Sequence, residues 1–150
     1  MHDRPDTNAE RRDWMSLLAR APLDLLEAWA AGRHDTYTWL RRPESGLAMV
    51  RARIGATGDR FNLGETTVTR CTLRLAGGQH GVAYVQGRAR RKAELAALAD
   101  ALLQDPVHQK DVDGALLAPL RARQRSQALE TARKARLTKV DFLTVSRGDE

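Results

Sequence analysis

The sequence predicts an α+β fold, a four-stranded antiparallel meander with helices packed on one face, an N-terminal helical hairpin, a long C-terminal helix and a short terminal strand. Two changes of period carry this expectation. Apolar residues recur at helical spacing before residue 32, alternate with polar ones from residue 36, and return to helical spacing after residue 87. At 150 residues and 42% hydrophobic composition, the chain has the size and apolar content of a single domain over 1–150.

Thr7-Asn8-Ala9-Glu10 has the spacing of a capping box, and Trp14, Leu17 and Leu18 make an apolar stripe, so a first helix runs to about Arg20. Pro22 suits the first turn of a second helix, on which Leu25, Leu26, Trp29 and Ala30 share one side; Gly32 can take the left-handed conformation that closes it. The segments TYTWLRR, GLAMVRARI, ETTVTRCTLRL and HGVAYVQG then read as four strands, separated by residues 43–45, by a glycine-bearing loop and by residues 76–79.

Alternation places Ala48, Val50, Ala52 and Ile54 on one side of the second strand, and Leu47, Met49, Arg51 and Arg53 on the other. In the third strand Cys71, Leu73 and Leu75 oppose Val68, Arg70, Thr72 and Arg74. The expectation is one apolar face and one arginine-rich face. A helix over residues 89–104, with Leu95, Leu98, Ala99 and Leu102 on one stripe, is the natural lid for the apolar face, and Asp105-Pro106 ends it.

From about Pro119 to Lys139 a last helix has only an intermittent strip of Ala128, Leu129, Ala132 and Ala135. After it come Val140, Phe142, Leu143 and Val145 in a short extended run that needs a cover. Residues 119–150 therefore read as a helix and tail for docking a partner.

Lysine and arginine outnumber acids by 25 to 19, a net charge of +6, which favours anionic partners: nucleic acid, nucleotides or an acidic protein surface. The lone Cys71 excludes an internal disulfide framework, has no zinc-type spacing to join, and falls on the core side of its strand as an inert thiol. His2, His34, His80 and His108 are scattered, and neither a Gly-x-Ser-x-Gly elbow nor a Walker-type loop occurs. No catalytic residue, metal ligand or cofactor is expected on this chain. The amino terminus is too polar for a signal sequence and no apolar run is long enough to span a bilayer, which points to the cytoplasm.

The loop between the second and third strands admits two readings. Amides freed by Gly55, Gly58 and Gly64, with Thr57, Arg60 and the arginine rows, would cradle a phosphate. Alternatively the glycines supply positive φ in a long hairpin, with Phe61 and Leu63 tucked into the core edge. Arg51, Arg53, Arg70 and Arg74, two apart on neighbouring strands, repel one another unless an anion or acidic partner lies over them. Arg88, Arg90, Arg91 and Lys92 stack charge at a helix amino terminus, where the macrodipole disfavours cations.

Taken in order, several blocks resemble the PhnG family, a small subunit of the bacterial carbon-phosphorus lyase core complex. They are Trp14-Met15-Ser16, the run from Gly55 to Phe61, Gly64-Glu65 with Thr69-Arg70, Gly87-Arg88 with Ala93-Glu94, Asp100-Ala101-Leu102, Ala118-Pro119-Leu120 and the ending from Val140 to Asp149. Ala56 stands where the family tends to have a second glycine.

The resemblance implies a non-catalytic accessory subunit in phosphonate breakdown. The complex would exchange adenine for methylphosphonate at the ribose carbon of ATP, and its members would be PhnH, the nucleosidase PhnI and the iron-sulfur subunit PhnJ, with PhnL assisting, in a two-fold hetero-oligomer. Val140, Phe142, Leu143 and Val145 would dock on PhnI, and the arginines would meet acidic partner residues or a triphosphate. The rival class is a small basic nucleic-acid-binding protein, weakened by the placing of Tyr37, Tyr84, Phe61 and Phe142 in strands or core positions. A third reading is a free-standing enzyme of phosphate metabolites.

Overall fold

A computed structural model describes residues 7–55 and 57–137. The helices α1 (Thr7–Arg20) and α2 (Leu23–Ala30) lie where the capping box and Pro22 put them, and Gly32 has the expected positive φ of 77°. They do not form a hairpin packed on itself. Each lies instead against a central helix, α3 (Arg90–Leu103).

The sheet has three strands in the order β1-β2-β3, not four: β1 (Tyr37–Arg53), β2 (Arg60–Leu75) and β3 (His80–Gln86), all antiparallel. Residues 43–45, expected to be a turn, lie inside β1. There the pairing with β2 slips between Trp39 and Arg41 and again between Arg41 and Glu44, so Arg42 and Pro43 fall outside the ladder. Because β1 pairs only with β2, it is an edge strand, and an edge absorbs a proline as a bulge without losing a central hydrogen bond.

The core lies between the sheet and α3. Cys71, Leu73, Ala83 and Val85 face the helix, and every residue of α3 from Leu95 to Leu103 is buried. The expected lid is therefore a central element, covered by α1, α2 and α4 (Pro106–Val112) on its remaining sides. Its alanines permit this: a Cβ at Gly81 of β3 would run into the carbonyl of Ala97, so sheet and helix meet backbone to backbone. Tyr37 and Trp39 close the β1 side of the core with an edge-to-face contact, ring centroids 5.2 Å apart.

Helix α4 was not legible as such; Asp105 ends α3 and its side chain also caps α4, accepting from Val107 N at 3.0 Å. A π-helical stretch, Asp113–Leu117, then leads into α5 (Ala118–Leu137). Only Leu120 of α5 is buried; from Arg121 onward the helix is exposed all round, the strip of Ala128, Leu129, Ala132 and Ala135 included. The expected terminal strand lies outside the described residues.

Two features project beyond the core. One is α5. The other is the far half of the β1–β2 ribbon, residues 46–55 and 57–67, because β3 pairs with β2 only from Val68 to Arg74. Along this ribbon the register puts Ser45, Leu47 and Met49 on the side of Thr69 and Cys71, and Ala48 and Val50 on the side of Val68 and Arg70. This reverses the expected faces: the apolar row of β1 shares a side with Arg70 and Arg74, and Arg51 and Arg53 fall on the other. The hydrophobic pattern misled here because neither side of the ribbon is buried, so burial does not choose between them.

Candidate functional site

The glycines of the β1–β2 loop serve its turn. Gly55 has φ of 65°, Gly58 N donates to Ile54 O at 3.1 Å, and a Cβ at Gly58 would collide with that carbonyl. Gly64 sits beside a bulge at Leu63, opposite Val50, and Thr57 is exposed. The loop is a tight hairpin end whose Gly58 amide is already used within it. Phe61 and Leu63 are exposed rather than tucked into a core edge.

The expected arginines do not converge; they fall in three places. Arg53 and Arg60 are cross-strand neighbours at the ribbon tip, with Arg51 opposite Asn62. Arg70 lies nearer the base of the ribbon, nine residues of β1 away and hence about 30 Å from the tip; its Nε donates to Glu44 Oε1 at 2.9 Å, and Arg41 approaches the same oxygen at 3.6 Å. Arg74, opposite Thr38, is on that same solvent-facing side, as is Tyr84, the cross-strand neighbour of Arg70. Tyr84 and Phe61 lie in strands, β3 and β2, but as exposed rings.

The third place is the start of α3. Here Thr69, fully buried, is a junction: its Oγ1 donates to Gly87 O at 2.6 Å, accepts from Ala89 N at 3.0 Å and shares a 3.0 Å hydrogen bond with Ser45 Oγ. Gly87, with φ of 84°, returns its N–H to Thr67 O at 2.8 Å. This fixes the chain as it turns from β3 into α3, whose first turn has no side-chain cap.

Beside the junction opens a groove of about 660 Å³ lined by Ser45, Gly46, Leu47, Thr67, Arg88 and Arg90. The basic run at this helix end is partly compensated from within, since Arg91 pairs with Glu94 at 3.0 Å and approaches Glu27 at 4.0 Å. Arg88 and Arg90 have no carboxylate partner among the described residues.

Cys71 and Tyr37 are held in their neutral forms. Burial, reinforced by the Glu94 carboxylate, pushes the Cys71 thiol up to about 12. Burial and the hydrogen bond from its hydroxyl to Glu94 Oε1 do the same for Tyr37. Among the described residues no three His, Cys, Asp or Glu side chains gather to hold a metal ion, and no helix is long and apolar enough to cross a membrane.

The most elaborate polar network was not foreseen. Asp100, fully buried in α3, accepts from Arg11 Nε and Nη2, from Trp14 Nε1 and from Val82 N, tying α1 and β3 to the central helix. A single carboxylate inside the run LAALADALL, residues 95–103, was the signal available.

Fold and surface together define a small α+β protein that, among the described residues, carries arginines without a carboxylate partner and an uncovered apolar ribbon. The family described as "Phosphonate metabolism protein PhnG" matches residues 9–148. The "Alpha-D-ribose 1-methylphosphonate 5-triphosphate synthase subunit PhnG" of Rhizobium meliloti (strain 1021) is 44% identical over 147 residues, 95% of this chain and 92% of that protein. The chain belongs to the PhnG family.

Proposed function

We propose that the protein is a non-catalytic accessory subunit of alpha-D-ribose 1-methylphosphonate 5-triphosphate synthase. The observation that carries this is the 44% identity, across 95% of the chain, to a relative bearing that subunit name. In the reaction, a phosphonate oxygen replaces the adenine nitrogen at the anomeric carbon of ATP; the glycosidic bond breaks and adenine leaves with a proton. ATP and methylphosphonate are substrates of the whole assembly. This chain brings no cofactor; it docks on the nucleosidase PhnI within a two-fold cytoplasmic assembly that also holds PhnH and PhnJ, with PhnL joining for the synthase step.

Two of the three arginine sites divide the labour. Arg88 and Arg90, with the hydroxyls of Ser45 and Thr67 in one groove, suit a triphosphate. Arg51, Arg53 and Arg60 at the ribbon tip suit carboxylates of a neighbour. Coexpression with PhnI, PhnH and PhnJ tests the reading: the chain co-elutes with them, and Arg60→Ala or Arg88→Ala weakens assembly or nucleotide affinity. Elution as a lone, stable monomer rejects docking, and unchanged behaviour of both variants rejects the arginine roles.

One observation favours a second reading, nucleic-acid binding: exposed Tyr84 stands beside Arg70 on the solvent-facing side of the sheet, and α5 carries Arg121, Arg123, Arg125, Arg133, Lys134 and Arg136 against Glu130 alone. A steeply salt-dependent shift with random DNA supports it; none at low salt removes it.

A further inference from the structure

The β1–β2 ribbon beyond the core has no structural reason to be apolar, yet it is. Leu47, Met49 and Leu63 are 67%, 53% and 66% exposed, and Ile54 is 74% exposed near the tip. Val50 and Phe61, on the side opposite Leu47 and Met49, are also exposed. A two-stranded ribbon in water is marginal at best, and large side chains on both of its sides add an unfavourable hydrated surface without contributing to the core. Both sides lose that surface together only if the ribbon is inserted into something.

From this geometry we infer that residues 46–55 and 57–67 form an insertion arm, gripped on both sides by an apolar cleft with an acidic rim on another subunit of the synthase. This rests on the synthase reading above. Charge selects the occupant. Arg51, Arg53 and Arg60 crowd the tip, Arg53 directly opposite Arg60, and none pairs with a carboxylate among the described residues; Asp59 and Glu65, the acids of the arm, form no ion pair there either. Laying the arm of a second copy alongside would bring these guanidiniums against one another, on a chain that already carries +6. Carboxylates around an apolar cleft relieve the repulsion, and the hydrophobic side chains supply the anchors.

The test uses the full chain coexpressed with the other synthase subunits. Met49→Asp combined with Leu63→Asp places charge on the arm, and Val107→Asp, an exposed apolar position on α4, is the control. The arm variant lowers recovered complex by about tenfold or more, with its isolated melting temperature within a few degrees of the parent; the control assembles normally. If the unmodified chain fails to assemble, the synthase reading falls. If it assembles and the arm variant assembles equally well, the arm falls alone.

A photo-crosslinker at Met49 keeps the inference testable should the double variant fold poorly. A crosslink to another synthase subunit supports the arm. A crosslink to a second copy of this chain, or none within the assembled complex, overturns it.

Discussion

The indole Nε1 of Trp14 donates to Asp100 Oδ1 at 2.8 Å, while Arg11 grips the same carboxylate through Nε at 3.1 Å and Nη2 at 2.8 Å. Two groups one helical turn apart on α1 thus meet one buried acid on α3, and Val82 N of β3 takes its second oxygen at 2.9 Å. The carboxylate joins all three layers of the body. Removing it takes the acceptor from the Trp14 indole N–H and from Val82 N, and the counter-charge from Arg11, whose Nη2 keeps only its 3.1 Å bond to His80 O, which costs more than the net worth of the pair. Asp100→Ala therefore destabilises the chain by about 3–5 kcal/mol, read from the denaturant midpoint; a loss below about 1 kcal/mol would assign the cluster the weight of an ordinary surface pair.

Thr69 holds the turn from β3 into α3 through three hydrogen bonds, so its hydroxyl matters more than its volume. Thr69→Val keeps the shape and strands Gly87 O and Ala89 N. A loss of about 1–3 kcal/mol is expected, while Thr69→Ser, which keeps the hydroxyl, loses less. Equal losses in both variants would mean that packing, not hydrogen bonding, sets the junction.

Cys71 is 1% exposed and its thiol lies well above physiological pH. A thiol-modifying reagent at pH 8 should label the folded chain only at the rate of global unfolding, and label it at once in denaturant. Rapid labelling of native protein would contradict the burial.

Tyr37 sets an alkaline limit. Its folded value, about 12, lies above the model-peptide value of 10.0, so the neutral hydroxyl is the form the fold favours. That stabilisation is complete below pH 10 and disappears as pH rises toward 12. Cys71 adds to the same loss, beginning nearer 9. Tyr37→Phe should be less sensitive than the parent to raising the pH from 10 to 12 in an unfolding series; identical profiles would exclude Tyr37 as a contributor.

The helices were legible because their signals are local. Pro22, Gly32 and Asp105 act through neighbours one to three residues away, and each stands where its chemistry required. Pro43 was misread because its meaning depends on whether its strand has one neighbour or two, a fact of topology. The sides of β1 beyond Ser45 were misassigned for a related reason: alternation reports a core only where one side is buried, and the ribbon leaves the core. The arginine sites shared that fate, since grouping Arg51 and Arg53 with Arg70 and Arg74 assumed a single face. The network at Asp100 was not legible beyond its lone carboxylate, because its side-chain partners Arg11 and Trp14 lie more than eighty residues upstream.

The most direct test of the whole account is adenine release from ATP, with methylphosphonate present, by the synthase assembled from purified subunits with and without this chain. The account predicts release and intact assembly when the chain is included, and loss of both when it is omitted. Full turnover by the remaining subunits alone would contradict it.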